Sequence, residues 1–202
     1  MYRDEIVLII DKSGSMEAIK EDAIGGFNSF LSGQKKIDRP AKVTFVLFDD
    51  RYQLVHDGKE INKVESLTEE TYVPSGTTAL LDAVGQTIDR VGERLDNLPE
   101  EEKPENVIFF ILTDGLENAS SDYTRDRVKE MIEHQQSKYD WEFIYGGANQ
   151  DAFAEAGSIG IKAQNSFDFE ATGEGTREAY DVSSDMVASY RTRTKPEKSK
   201  EK

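Results

Sequence analysis

Apolar and polar positions change period several times along the chain, and each change marks an element. Residues 6–10, Ile6-Val7-Leu8-Ile9-Ile10, form an unbroken apolar run, the pattern of a strand buried on both faces. From residue 16 to about 35 the period lengthens to that of a helix. Ile19, Ala23, Phe27, Phe30 and Leu31 recur, with Lys20, Glu21, Asp22 and Asn28 between them. Gly25-Gly26 sits inside this helix at a cost of up to ~1 kcal/mol per glycine against alanine. Close packing of the helix on a sheet is the expected reason. Segments 43–48 and 52–56 read as strands separated only by Asp49-Asp50-Arg51. So short a link cannot cross over, so the two must pair as an antiparallel hairpin, whose turn accounts for the two aspartates. Residues 57–76 read as irregular.

The alternation continues in the second half. A helix is expected over 79–95, with Leu80, Leu81, Val84, Ile88, Val91 and Leu95 facing inward, then an acidic loop over 97–105 holding Pro99 and Pro104. Residues 107–112, Val-Ile-Phe-Phe-Ile-Leu, form the strongest apolar run and predict a central strand. A helix over 123–137, a strand over 141–145, a short helix around 150–156, a last strand near 161–165 and a closing helix from 176 to about 191 complete the series. Strand and helix in alternation predict an α/β fold: three-layer, Rossmann-like, with a mostly parallel central sheet, one antiparallel edge strand and helices on both faces. Residues 1–190 read as one domain. Residues 191–202 carry six Lys/Arg and two Glu, Pro196 and no apolar side chain, and read as a basic, disordered tail.

Ligands of such sheets bind at the carboxyl ends of the strands, where strand order switches direction, so the loops after residues 10, 112 and 145 are the places to look. Two of them begin with an aspartate. Asp11-Lys12-Ser13-Gly14-Ser15 places a carboxylate and two hydroxyls at alternate positions, and Thr113-Asp114-Gly115 follows the second apolar strand. Thr77-Thr78 opens the helix between them. Hydroxyl and carboxylate oxygens suit a hard divalent cation, Mg²⁺ first, with Mn²⁺ or Ca²⁺ as substitutes. Each piece also has an ordinary reading: a turn and helix cap for the first loop, an N-cap for the threonines, a βα turn for the third. Coincidence of all three at places the fold brings together favours a metal site. Around it, Glu117 and Asn118 read either as residues that shape the rim or support the ligand loops from behind, or as solvated loop. Asn149 and Asp151 read as neighbours of the site or caps of the short helix. Asp82 reads as an acid favoured by the helix dipole.

Composition narrows the function. The 202 residues are 37% hydrophobic and 32% charged, with a net charge of −15, or −19 for the body without the tail. Nucleic acid is therefore not an expected partner. The absence of cysteine excludes disulfides and thiolate chemistry and fits a reducing compartment. No run approaches a membrane span and no leader pattern is visible, so the chain is expected to be cytoplasmic.

These motifs, in this order, resemble the metal-ion-dependent adhesion site of von Willebrand factor A-like domains, relatives in fold of the integrin inserted domain. The resemblance covers roughly residues 4–166. It implies Mg²⁺ held by Asp11, Ser13, Ser15, a threonine and Asp114, with Asp11 and Asp114 binding directly or through water. It also implies a position left for a Glu or Asp of a protein partner. Aligned with the family's Gly-Gly-Thr-Ala-Leu, Gly76-Thr77-Thr78-Ala79-Leu80 makes Thr78 the ligand, with Thr77 in place of a glycine. The implied function is non-enzymatic, metal-dependent protein binding. The rivals are a scaffold whose metal is only structural and a metal-dependent phosphohydrolase. A phosphoryl transferase of the haloacid dehalogenase type needs a second Asp where Ser13 stands. No GxSxG elbow or phosphate-binding glycine loop is present. His56 and His134 read as surface residues far from the ligand loops. Oligomeric state has no signature in the sequence.

Overall fold

The computed structural model describes residues 2–148 and 151–193. Asn149 and the tail beyond Arg193 lie outside the described residues. Among the described residues, six strands and five α-helices follow one another as β1 (Asp4–Asp11), α1 (Lys20–Lys35), β2 (Ala41–Phe48), β3 (Tyr52–Glu60), α2 (Leu80–Asp96), β4 (Asn106–Thr113), α3 (Arg125–Tyr139), β5 (Glu142–Ala148), α4 (Ala152–Ser158), β6 (Ser166–Phe169) and α5 (Gly173–Thr192). A short 3₁₀ segment, Gly14–Ile19, leads into α1. The sheet order is β3-β2-β1-β4-β5-β6, and every neighbouring pair is parallel except β2 with β3.

Alternate residues of the central strands feed two cores, as the two-residue period of a strand requires. Ile6, Leu8 and Ile10 face α1 and α5, packing with Phe27, Phe30 and Tyr180. Val7 and Ile9 face α2 and α3, packing with Val84, Ile88 and Ile132. Because both faces are covered, β1 and β4 are buried along their whole lengths, which is why they read as unbroken apolar runs.

Three expectations need correction. The last strand lies at Ser166–Phe169, not at 161–165: Ala163–Asn165 is a 3₁₀ turn, and Ser166 is the first residue to pair, with Tyr145. Ile161 is apolar because it fills the core shared with α3 and α4. The edge strand itself is paired on one side only, so it carries no strong apolar signature. Secondly, α5 begins at Gly173, capped by Thr172, whose hydroxyl accepts from Gly175 N at 3.1 Å, and it runs through Arg191. Arg191 is therefore not the start of a solvated tail. It is fully buried, donating to Asp4 Oδ2 at 3.0 Å, Gln34 O at 2.7 Å and Arg39 O at 2.7 Å.

The third correction concerns Gly25-Gly26. A β-carbon on Gly26 would lie 2.3 Å from the ring of Tyr180, so the close approach is between α1 and α5 and not between α1 and the sheet. Gly25 would meet nothing within 4 Å. Gly26→Ala is expected to destabilise by about 1–3 kcal/mol through overpacking. Gly25→Ala is expected to stabilise by up to ~1 kcal/mol through helix propensity. Urea titration of the two variants separates these opposite signs.

Candidate metal centre

The chain leaves β1 toward β2 on one side, whereas β4 lies on the other, so the crevice between the carboxyl ends of β1 and β4 is the switch point of the sheet. Asp11 is the last residue of β1, and Asp114 follows the last residue of β4. The first loop is held from within: Asp11 Oδ1 accepts from Ser13 N at 2.6 Å, and the hydroxyls of Ser13 and Ser15 lie 3.2 Å apart. It is also tied to the third loop. Ser15 Oγ donates to Asp114 Oδ1 at 2.7 Å, and Thr113 Oγ1 donates to Asp11 Oδ2 at 2.6 Å.

Thr78 completes the group. It is buried, whereas Thr77 is exposed. A β-carbon on Gly115 would lie 3.1 Å from Thr78 Oγ1 and 4.0 Å from Ser15 Oγ, so glycine at that position leaves the three loops room to converge. All five residues singled out from the sequence thus come to one place: Asp11, Ser13, Thr78 and Asp114 are buried, and Ser15 stands at the solvent side.

Other side chains brace the three loops and their surroundings. Asn118 clamps the threonine loop: its Oδ1 accepts from Thr78 N at 3.0 Å, and its N donates to Thr78 O at 3.1 Å. Glu117 points back to α2, accepting from Leu81 N at 2.9 Å and Ser120 N at 2.7 Å, so of its two readings it takes the supporting one and braces the loop. Asp82 does more than answer the helix dipole, accepting from the backbone of Ser121, Asp122 and Tyr123. Tyr72, from the stretch read as irregular, is buried and donates to Asp11 O at 2.6 Å. Asp151 caps α4 through Ala154 N at 2.9 Å, the plainer of its two readings. The links from Asn118 to Thr78, Glu117 to Leu81, Asp82 to the 121–123 backbone and Tyr72 to Asp11 span 36 to 61 positions and leave no periodicity, so these partners are not legible locally.

Asp49 is the largest omission. It is not merely hairpin chemistry: fully buried, it forms an ion pair with Lys12 and accepts from Arg51 Nη2 at 2.9 Å and Ser75 Oγ at 2.8 Å. Its backbone oxygen accepts from Ala79 N at 2.9 Å, while Ser75 N and Gly14 N bond to Lys12 O and Gly76 O. Asp49 therefore locks the first loop to the threonine loop. Gly76, at φ +68°, takes a left-handed conformation in which any other L residue would be strained. Burial pushes the Asp49 carboxyl up, but donation from Arg51, Lys12 and Ser75 outweighs it and holds Asp49 well below the usual carboxylate range. A depressed folded-state value adds stability above the unfolded value of about 4 and loses it as pH falls below that. Asp49→Asn is expected to flatten the acid limb of the stability–pH curve, read as urea midpoints.

The electrostatics of the centre are those of an anionic pocket. Burial pushes Asp11 up to about 6, against hydrogen bonds from Thr113 and Ser13, and the Asp114 charge adds to the rise. Burial also raises Asp114, opposed by Ser15. Lys12, the nearest base in sequence, turns to Asp49 instead. The donors are all oxygen. Among the described residues no three His, Cys, Asp or Glu side chains gather to hold a metal, so a cation here would need the hydroxyls as well as the two carboxylates. That donor set fits a hard divalent ion. His56 is half-buried on the edge strand β3, opposite Phe45, and of the two histidines only His134 is exposed.

No protein-family model and no curated sequence matches the chain. Solved structures do. The vWF domain of the type V pili tip protein Mfa5 from Porphyromonas gingivalis superposes with TM-score 0.67 at 12% identity, over 96% of this chain and 98% of that one. This chain has a von Willebrand factor A-like fold. A von Willebrand factor type A structure from Catenulispora acidiphila gives TM-score 0.64 at 16% identity, over 96% of this chain and 44% of that one. Proximal thread matrix protein 1 from the mussel byssus, solved with a zinc-occupied MIDAS motif, gives 0.62 at 16% identity over 92% of this chain. The chain spans about half the length of that matrix protein, 46% of it. In the von Willebrand factor A-like frame, the β2–β3 hairpin is the antiparallel edge and the Asp11–Asp114 crevice lies at the carboxyl end of the sheet. Among the described residues no helix is long and apolar enough to cross a membrane.

Proposed function

We propose that this chain is a non-enzymatic, divalent-cation-dependent protein-binding domain. The observation that carries the reading is the convergence of three loops on one oxygen-lined point: Ser15 Oγ reaches Asp114 Oδ1 across 99 positions of sequence, and Thr78 stands beside them. Ser13, Ser15 and Thr78 would hold Mg²⁺ through hydroxyls, and Asp11 and Asp114 would hold it directly or through water. The bound ion would supply a Lewis-acidic position for an anionic oxygen, which a Glu or Asp side chain of a partner protein fits. The chain's own residues orient the donors: Thr113 and Ser13 N fix the Asp11 carboxylate, Asn118 fixes the Thr78 backbone, and Asp49 ties the first and second loops. The neighbour with an occupied MIDAS motif supports a divalent metal as the class of ligand. Neither histidine supports catalysis, since His56 lies on the edge strand β3 opposite Phe45 and His134 stands near Asn106, at the end of the sheet away from Asp11 and Asp114.

The test is partner capture from a proteome in Mg²⁺, eluted with chelator, with Asp11→Ala as the control bait. Capture lost in both chelator and variant, at unchanged fold, is the expected result. Capture indifferent to both would overturn the reading. A phosphatase activity in Mg²⁺ that disappears in Asp114→Ala would establish the enzyme instead.

A further inference from the structure

β6 ends the sheet order, with β5 on one side and no strand of the described residues on the other. A groove of about 670 Å³ runs along it, between β6 and the first turns of α5. Successive residues of a strand point to opposite faces. A groove that touches Phe167, Asp168 and Phe169 in turn therefore lies at the edge of β6 and not over one face. A strand paired on one side leaves alternate N–H and C=O groups free, a template for an added strand.

The lining selects the occupant. Glu174, Glu178 and Val182 follow one another at four-residue spacing, an exposed stripe of α5 along the groove. Phe167 and Phe169, half-buried against the core, add apolar area. Asp168 and Glu170 are exposed beside them. No basic side chain lines the groove, and none of its four carboxylates forms an ion pair with a described residue. Arg177, the nearest base of α5, turns to Asp22 of α1 instead. A long cationic side chain suits such a lining, its apolar stem on Phe167, Phe169 and Val182 and its head at the carboxylates. Glu174 and Glu178 stand about 6 Å apart along the helix axis, and alternate residues of an extended chain match that at about 6.6 Å. A strand supplied by this chain after α5 would cross over with the hand opposite to β4-α3-β5, because α5 and α3 cover opposite faces of the sheet. The occupant therefore comes from another protein. We propose that the groove binds, by strand addition to β6, an extended segment of a partner protein carrying Lys or Arg at alternate positions. The contact needs no metal.

The probe is a fluorescein-labelled peptide, Lys-Thr-Lys-Thr-Lys-Thr, titrated with the intact protein in chelator and read by anisotropy. Saturable binding that weakens with added salt is expected. The isomer Lys-Lys-Lys-Thr-Thr-Thr has the same charge in the wrong spacing and is expected to bind at least about fivefold more weakly. Strand pairing uses alternate amides, so N-methylation of the lysine amides and of the threonine amides should differ, one costing at least about tenfold and the other little. Glu174→Lys combined with Glu178→Lys, both at exposed positions, is expected to weaken binding at least about tenfold. Glu101→Lys combined with Glu102→Lys, on the acidic loop before β4, makes the same change in net charge and is expected to leave affinity within about twofold. No saturable binding or equal binding of the two isomers would overturn the proposal. So would equal losses in the two double variants, which would show general attraction to an anionic body. Tighter binding to Lys198→Glu combined with Lys200→Glu would overturn it too, by showing that the chain's own basic end is the occupant.

Discussion

Asp11→Asn is expected to abolish the thermal response of the protein to Mg²⁺ and Mn²⁺ while leaving the metal-free fold intact. A cation that binds only the folded state at a hundred times its dissociation constant adds about 2.7 kcal/mol. In a chain of this size that raises the melting temperature by about 5–10 °C. The substituted amide would keep the shape of the side chain, and its oxygen could still accept from Ser13 N, the bond seen at 2.6 Å. What the substitution removes is the buried charge facing Asp114, so without metal the variant is expected to melt no lower than the wild type. Calorimetric scans in chelator and in saturating Mn²⁺ read both halves of the result. An equal metal-induced shift in wild type and variant would show that the cation binds elsewhere.

Arg191→Met is expected to cost about 3–5 kcal/mol of folding stability, the range for removing one partner of a buried ion pair. The guanidinium is fully buried and satisfies Asp4 and two backbone carbonyls, those of Gln34 and Arg39. Methionine fills much of the same space but donates nothing, leaving both carbonyls with one donor fewer and Asp4 with Arg39 alone as its charged partner, at 2.9 Å. That surviving pair places the loss toward the lower end of the range. Equilibrium unfolding in urea measures it. The metal response should survive in the folded fraction, because Asp4 and Asp11 lie at opposite ends of β1. A loss below about 0.5 kcal/mol, the size of a surface substitution, would show that Arg191 is solvated after all.

Arg191 also marks where local pattern stops being informative. In the sequence it opens a run of basic residues around Pro196, and nothing within four positions distinguishes it from Arg193. Its burial depends on α5 crossing α1 and reaching the start of β1, a contact that exists only in three dimensions. Asp49 is the same case: beside Asp50 in a tight turn it reads as turn chemistry, and only the approach of Lys12 and Ser75 turns it into a buried anchor. Gly26 is a third, since its partner Tyr180 belongs to the last helix.

By itself, the sequence determined the alternation of elements, the identity of the central strands and the three loops that carry oxygen donors. Burial on both faces forces unbroken apolar runs, and a loop that must end a buried strand with a carboxylate shows it in three or four letters. The burial of Thr78 and exposure of Thr77 agree with the choice made by resemblance, whereas only the tertiary structure decided that the hydroxyl of Ser15 meets Asp114 and which partners Asn118, Glu117, Asp82 and Asp49 take to hold the loops in place. Those are pairings of polar groups far apart in the chain. They are selected by which loops the sheet order brings side by side, and an isolated stretch of sequence carries no trace of its partner.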